Sequence, residues 1–226
     1  MRFLYLLLIA PLFAADPTAY NYDWVNLLEG DSLHLWQNGS KSSRHKTSSV
    51  GEQWSVKDGV LSLDQEKEGR GGHIITTVGD YFHFELQFEF CIAEKGNSGI
   101  KYRVDEQTVG LEYQIYDDEY SKNPNKSLAA LYDLKEPSDR KEAHPAGQEW
   151  NSARIYAYNN TIQHWLNGEM VLEIIVDSPE WIDAFQQSKY KNNPEFSRHP
   201  GPILIQDHGS NVKYRNMRIR RFMPTE

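Results

Sequence analysis

The sequence contains little cysteine, and this limits how the protein can be stabilised and what it can bind. Cys91 is the one cysteine among 226 residues. An intrachain disulfide therefore cannot form, and a zinc site built from several thiolates is excluded. We expect stability to come from a hydrophobic core, which a chain of this length can bury.

Positive charge is also scarce. Lysine and arginine number 24 against 32 aspartate and glutamate residues, which gives a formal net charge of −8. A surface with this balance repels phosphate backbones. The composition therefore predicts no nucleic-acid partner.

Long hydrophobic runs are absent except at the amino terminus, where residues 1–15 read MRFLYLLLIAPLFAA. A bilayer span needs about 20 apolar residues, so we expect no membrane span. Arg2 precedes the apolar run, and Ala14 and Ala15 follow it, in the order of a secretory signal peptide. We interpret 1–15 as a signal peptide, in preference to a buried strand, and 16–226 as one exported domain, periplasmic or extracellular.

The common catalytic signatures are missing. The chain has no G-x-S-x-G, no H-E-x-x-H, no P-loop and no dinucleotide fingerprint. Aromatic residues, by contrast, reach 12% and include 6 Trp and 13 Tyr. Such residues favour strands, and they also stack on sugar rings.

Hydrophobic alternation with period two dominates the chain and predicts strands. It is clearest over 82–92, where Phe82, Phe84, Leu86, Phe88, Phe90 and Ile92 share one face. Residues 53–63 read as a hairpin that turns at Asp58-Gly59. Further strands are predicted at 98–104, 111–116, 153–158, 162–166, 171–176, 203–206 and 212–221. Ser178 and Pro179 predict the start of one short helix. The pattern favours an all-β fold, a two-sheet antiparallel β-sandwich of jelly-roll type.

Four polar segments at strand edges are candidates for a functional site. The first, NSGIKYR, carries Asn97 and places Arg103 on the same strand face as Lys101. The second, LEYQIYDD, aligns Glu112 and Gln114 on one face and ends at Asp117.

The other two segments each contain a histidine. His164 lies in IQHWLNG and shares a strand face with Ile162 and Leu166. It is either a satisfied core histidine or a partly desolvated base. In GPILIQDHG, Gln206 and His208 can point to the same side after a buried strand.

Together these segments, with LAALYD, EWNSARI and YRNMRI, resemble the 3-keto-disaccharide hydrolase family over residues 24–222. The resemblance implies a concanavalin A-like jelly roll and an exported enzyme. The implied substrate is an oligosaccharide or 3-keto-glycoside, cleaved by removal of the C2 proton, elimination and hydration.

On this resemblance the candidate base is Glu112 or His164, and Arg103 or a metal ion stabilises the enolate. Candidate substrate-binding residues are Asn97, Gln114, Asp117, Tyr132, Gln206 and His208, and some of these could instead hold a divalent ion. Two alternatives from other classes stay open. They are a carbohydrate-binding module without catalysis and a conventional glycosidase with paired carboxylates.

Overall fold

A computed structural model describes residues 23–30, 33–39, 49–138, 147 and 149–223. The predicted signal peptide lies outside these residues. The described part contains thirteen strands, one α-helix and a short 3-10 helix at Pro124–Lys126. The helix α1 spans Pro179–Gln187. The strands in chain order are β1 (Val25–Asn26), β2 (Trp36–Asn38), β3 (Trp54–Lys57), β4 (Val60–Leu63), β5 (Ile74–Thr76), β6 (Phe84–Ile92), β7 (Asn97–Tyr102), β8 (Leu111–Tyr116), β9 (Asn151–Tyr158), β10 (Thr161–Leu166), β11 (Glu169–Ile175), β12 (Leu204–Ile205) and β13 (Val212–Arg221).

The strands form two antiparallel sheets, which confirms the predicted sandwich. The larger sheet has eight strands in the order β11-β10-β9-β6-β13-β4-β3, with β1 also paired to β13. The smaller sheet has five strands in the order β2-β5-β12-β7-β8. Because β12 lies between β5 and β7, residues distant in sequence meet on one face of the smaller sheet.

The core between the sheets is rich in aromatic side chains. Phe84, Leu86, Phe88 and Phe90 of β6 are buried, as the alternation predicts, whereas Phe82 precedes the strand and is half-buried against Arg103. The Phe88 ring packs edge-on against Tyr113 of β8 at 5.7 Å between ring centroids. Odd-numbered residues of β8 therefore point into the core, and even-numbered ones point to the outer face of the smaller sheet.

Candidate active site

Glu112 lies at the centre of a polar group on the outer face of the smaller sheet. The register of β7 and β8 sets Lys101 directly opposite it, with Lys101 Nζ 3.9 Å from Glu112 Oε2. Gln206, which follows β12, donates from Nε2 to the same oxygen at 3.1 Å. The side-chain amide nitrogen of Gln114, when it is turned towards the carboxylate, donates to Glu112 Oε1 at 2.9 Å. Three strands thus converge on one carboxylate.

Burial dominates the electrostatics of this carboxylate. The Glu112 side chain is 3% exposed. Desolvation raises its pKa, while the charges of Lys101 and Lys189 and the hydrogen bond from Gln206 act in the opposite direction. A carboxylate with a raised pKa that keeps cationic neighbours is suited to accept a proton near neutral pH.

A second lysine reaches this group from the segment after α1. Lys189 Nζ lies 4.2 Å from the centroid of the Tyr132 ring and 5.0 Å from that of Tyr190. Its backbone N–H donates to Asp133 Oδ2 at 2.8 Å, which holds the segment in place. Desolvation lowers the pKa of Lys189, although Glu112 acts against this. An ammonium with a lowered pKa is a better proton donor.

Tyr132 and Tyr190 supply aromatic surface beside Glu112. The Tyr132 N–H donates to the Glu112 carbonyl at 3.1 Å, so the backbone itself places this predicted residue next to the carboxylate. Tyr190 is buried, and desolvation followed by the charge of Glu112 raises its pKa. The half-buried Tyr132 ring offers a flat surface to a sugar ring, whereas the Tyr190 ring stacks on Phe196.

Gln206 has an acceptor without a partner. Its Oε1 is buried and makes no hydrogen bond within the part of the chain that the structure describes. Gly99 faces the same oxygen, and a Cβ at that position would lie 2.6 Å from Gln206 Oε1 and 3.1 Å from Glu112 Oε1. Because Gly99 has no side chain, both oxygens can pack closely against its backbone.

The loop after Gln206 carries His208, and a second histidine, His73, lies near it. Their ring centroids are 5.9 Å apart. His73 Nδ1 accepts from the Asp207 N–H at 3.0 Å, so the proton of the neutral ring is on Nε2. Desolvation, then the charge of Lys101, lowers the pKa of His73 to about 4. The same two causes lower the pKa of His208. Both rings are therefore neutral near pH 7.

His164 lies on the other side of β8, inside the core. Its ring is fully buried and packs on Tyr113 at 4.7 Å between centroids. Nδ1 donates to the Ala129 carbonyl at 2.9 Å, and Nε2 accepts from the Tyr102 hydroxyl at 2.8 Å. Burial lowers the pKa of His164 to about 4. The geometry is that of a satisfied core histidine, one of the two readings left open by the sequence.

Arg103 also lies apart from Glu112. The strand β7 ends at Tyr102, and Arg103 has a φ of 50°, so its side chain does not follow the alternation that predicted a shared face with Lys101. The guanidinium donates to the Phe82 carbonyl at 3.0 and 3.2 Å and packs over the Phe82 ring at 3.8 Å. The placement of Arg103 beside Lys101 is therefore wrong, because the positive φ redirects the side chain.

Asn97 is the first residue of β7, and Asp117 directly follows the last residue of β8, so both lie at the end of this strand pair away from Lys101. Asn97 contacts Gln114 through the side-chain amides. Asp117 is buried, and its carboxylate accepts from the backbone N–H groups of Lys95 at 2.7 Å and Glu119 at 3.3 Å. Asp117 therefore organises the turn that leaves β8.

The arrangement brings together Glu112, Gln114, Tyr132, Gln206 and His208 from the predicted set. Lys101 and Lys189 complete it. The sequence named Lys101 only as a neighbour of Arg103 on one strand face, and it did not single out Lys189. Among the described residues no group of three or more His, Cys, Asp or Glu side chains could hold a metal ion. No described helix is long and apolar enough to cross a membrane.

Comparison with known proteins identifies relatives over most of the chain. A family model described as the 3-keto-alpha-glucoside-1,2-lyase-like domain matches residues 23–220. The 3-keto-disaccharide hydrolase of Bacteroides thetaiotaomicron is 29% identical over an aligned length of 234 residues. The alignment covers 87% of this chain and 78% of that protein.

Solved structures share the architecture. Two proteins from Parabacteroides distasonis, both provisionally named as glycosyl hydrolases, are 25% and 26% identical with TM-scores of 0.75 and 0.68. The first match covers 88% of this chain and 94% of the other, and the second covers 89% and 100%. A β-porphyranase from Bacteroides plebeius, 11% identical with a TM-score of 0.50, covers 90% of this chain and 94% of its own and shares the fold alone. These neighbours confirm the predicted jelly-roll class.

Proposed function

Because this chain belongs to the 3-keto-alpha-glucoside-1,2-lyase-like domain family, we propose that it cleaves glycosides whose sugar carries a ketone at C3. The family and its relatives support a glycoside-processing enzyme. The observation that carries the finer proposal is Glu112, a buried carboxylate with a raised pKa and two lysines in its electrostatic surroundings. One base with cationic neighbours is what enolate chemistry requires.

In the proposed first step Glu112 removes the proton on C2, which the C3 ketone makes acidic. The electron pair of the C2–H bond forms an enolate, and negative charge develops on the C3 oxygen. We assign Lys101 to that oxygen because Lys101 is the cation across the strand pair from Glu112. A preoriented cation in a partly desolvated site stabilises such charge strongly.

In the second step the enolate collapses and the C1–O bond breaks, which leaves a C1=C2 double bond conjugated to the ketone. Lys189, whose pKa is lowered, donates a proton to the departing oxygen. Water then adds to C1 and gives a proton to Lys189, while Glu112 exchanges the abstracted proton with solvent water and then returns a solvent-derived proton to C2. The net result is hydrolysis. If the unsaturated sugar is released before water adds, the product is that of a lyase.

Asp117 gives no support to a conventional glycosidase. Asp117, which the sequence placed near Glu112, accepts hydrogen bonds from its own turn. Glycosidases of the usual kind need two carboxyl groups that flank the scissile bond.

The test uses a 3-keto-glucoside with a chromogenic aglycone and the matching unoxidised glucoside. We expect the aglycone to be released from the 3-keto-glucoside only. In Glu112→Gln the rate of release should be lower by about 100-fold or more. The control Glu119→Gln changes an exposed carboxylate beyond the end of β8 and should keep full activity. Equal release from the unoxidised glucoside would favour a conventional glycosidase. Sugar binding with no release from either compound would favour a binding module.

A further inference from the structure

A groove of about 810 Å³ crosses the outer face of the larger sheet, on the opposite side of the sandwich from Glu112. We call it the outer groove. Its lining includes Trp24, Asn26, Gln87, Arg154, Trp165 and Arg218. These residues take no part in the proposed reaction.

Strand register aligns these side chains in one row. Trp165 of β10 pairs with Arg154 of β9, and Arg154 pairs with Gln87 of β6. Gln87 pairs in turn with Arg218 of β13, and Arg218 pairs with Asn26 of β1. Since neighbouring strands are about 4.8 Å apart, the row spans about 19 Å across five strands. This length suits an elongated ligand that lies across the strands.

An indole stands near each end of the row and is oriented by a guanidinium. Arg154 lies 4.8 Å from the Trp165 ring centroid, and Arg218 lies 4.6 Å from that of Trp24. Such cation–π contacts hold an aromatic plane in a fixed direction. Half-buried, oriented indoles are favourable surfaces for the apolar faces of pyranose rings.

The groove is also lined by one carboxylate, Glu89, which pairs with Arg215, whereas Arg218 makes no ion pair among the described residues. Arg218 donates from Nε and Nη2 to the neutral Gln87 Oε1 at 3.1 and 2.8 Å. By contrast, Arg215 pairs with Glu89 at 2.7 Å, and Arg154 Nε lies 2.7 Å from Glu85. In a chain with net charge −8, this is a local site for an anionic group.

We infer that the outer groove binds an oligosaccharide whose sugars carry carboxylate or sulfate groups. The indoles stack on the rings, and Arg218 binds the acidic group through the guanidinium N–H groups that Gln87 does not occupy. The inference goes beyond the proposed function, since it concerns binding at a second site.

The test is calorimetric titration of the full-length mature protein with three hexasaccharides: an oligogalacturonate, a sulfated galactan fragment and neutral cellohexaose. We expect at least one acidic hexasaccharide to bind and cellohexaose to bind more weakly. Trp165→Ala and Arg218→Gln should each raise the Kd about tenfold or more. The identity of the acidic hexasaccharide that binds separates carboxylate from sulfate recognition.

The matched control is Trp150→Ala, because Trp150 packs with Arg215 at 4.2 Å and is not part of the groove lining. This control should leave the Kd unchanged, and all three variants should keep cleavage of the 3-keto-glucoside. Failure of both acidic hexasaccharides to bind the folded protein would overturn the inference. Equal affinity for cellohexaose, or an unchanged Kd in both groove variants, would also overturn it, and none of these results bears on the cleavage reaction.

Discussion

At Glu112, burial and the two lysine charges act on the carboxyl in opposite directions, and burial has the larger effect on its pKa. A carboxyl whose pKa is raised binds its proton more tightly in the folded state than in the unfolded chain. Stability attributable to this group therefore falls as the pH rises from its ordinary pKa of 4.5 through the raised value. The charge that catalysis needs thus opposes folding.

We accordingly expect Glu112→Gln to raise the melting temperature at pH 8 while it removes activity. The amide keeps the shape of the side chain and carries no charge to desolvate. At pH 4, where the wild-type carboxyl is protonated, the difference should shrink. Thermal unfolding of both proteins at the two pH values measures this, and a lower melting temperature of the variant at pH 8 would contradict the account.

At His164 burial lowers the pKa of the side chain, and both ring nitrogens make structural hydrogen bonds. Its folded pKa of about 4 lies below the ordinary value of 6.5. The unfolded chain therefore takes up a proton first as the pH falls, and stability is lost between about pH 6.5 and pH 4. His73 acts in the same direction, so a comparison with a variant is needed to isolate His164.

The variant His164→Phe fills the core but leaves the Tyr102 hydroxyl and the Ala129 carbonyl without their partner. Each buried polar group that loses its hydrogen bond costs about 1–3 kcal/mol. We expect a clear loss of unfolding free energy, a shallower fall in stability between pH 7 and pH 5, and turnover per folded molecule close to wild type. A large loss of turnover with unchanged stability would instead support His164 as the base.

At the scale of elements, α1 and the segment after it present Lys189 and Tyr190 to the smaller sheet. Ser178 caps the helix, with its Oγ accepting from the Trp181 N–H at 3.2 Å, and Pro179 occupies the first turn. The rings of Tyr190 and Phe196 stack at 4.0 Å. The cap and the stacked rings together fix the direction in which the chain leaves the helix.

Ser178→Ala should destabilise the protein by about 1 kcal/mol because one N-terminal amide loses its acceptor. Ser178→Asp should preserve stability, since aspartate also caps helices. Urea unfolding of the three proteins provides the measurement. Equal stability of the alanine variant and wild type would show that the cap contributes nothing to this helix.

Elements with a long and regular pattern could be predicted from the sequence. The alternation over β6 and the hairpin at Asp58-Gly59 give the correct strands and faces, and Ser178-Pro179 gives the correct helix start. The strands β1, β2 and β5 were not predicted, because two or three residues are too few to show a period.

The candidate site was only partly predictable, because alternation describes residues within one strand and not the contacts between distant segments. Local alternation places Glu112 and Gln114 correctly, but it fails at Arg103, where a positive φ turns the side chain. Lys189 joins the site through long-range packing, which no spacing in the sequence encodes. Alternation also places His164 in the core, yet only the hydrogen bonds with the Tyr102 hydroxyl and the Ala129 carbonyl show that both nitrogens are occupied.

At the scale of the whole molecule, the two outer faces of the sandwich differ in character. The smaller sheet presents one buried carboxylate with lysines, and the larger sheet presents a row of indole and guanidinium groups. One face is thus suited to chemistry and the other to holding a glycan chain. The predicted leader, residues 1–15, would deliver both faces to the exterior of the cell.

We therefore expect the full-length chain, expressed in a Gram-negative host, to be recovered from the periplasm with Asp16 as its first residue. Amino-terminal sequencing of the purified protein checks the cleavage position. A cytoplasmic protein that keeps residues 1–15 would contradict the expectation of export.

The most direct test of the elimination mechanism is the fate of the C2 hydrogen when a 3-keto-glucoside is cleaved in deuterated water. Removal of that hydrogen by Glu112 predicts a hydrolysis product that carries deuterium at C2, or an unsaturated product that has lost the hydrogen. Nuclear magnetic resonance distinguishes both of these products from a product that has kept the original hydrogen at C2. Glu112→Gln should suppress both cleavage and exchange. Cleavage by the wild-type enzyme with full retention of the original C2 hydrogen would contradict the account.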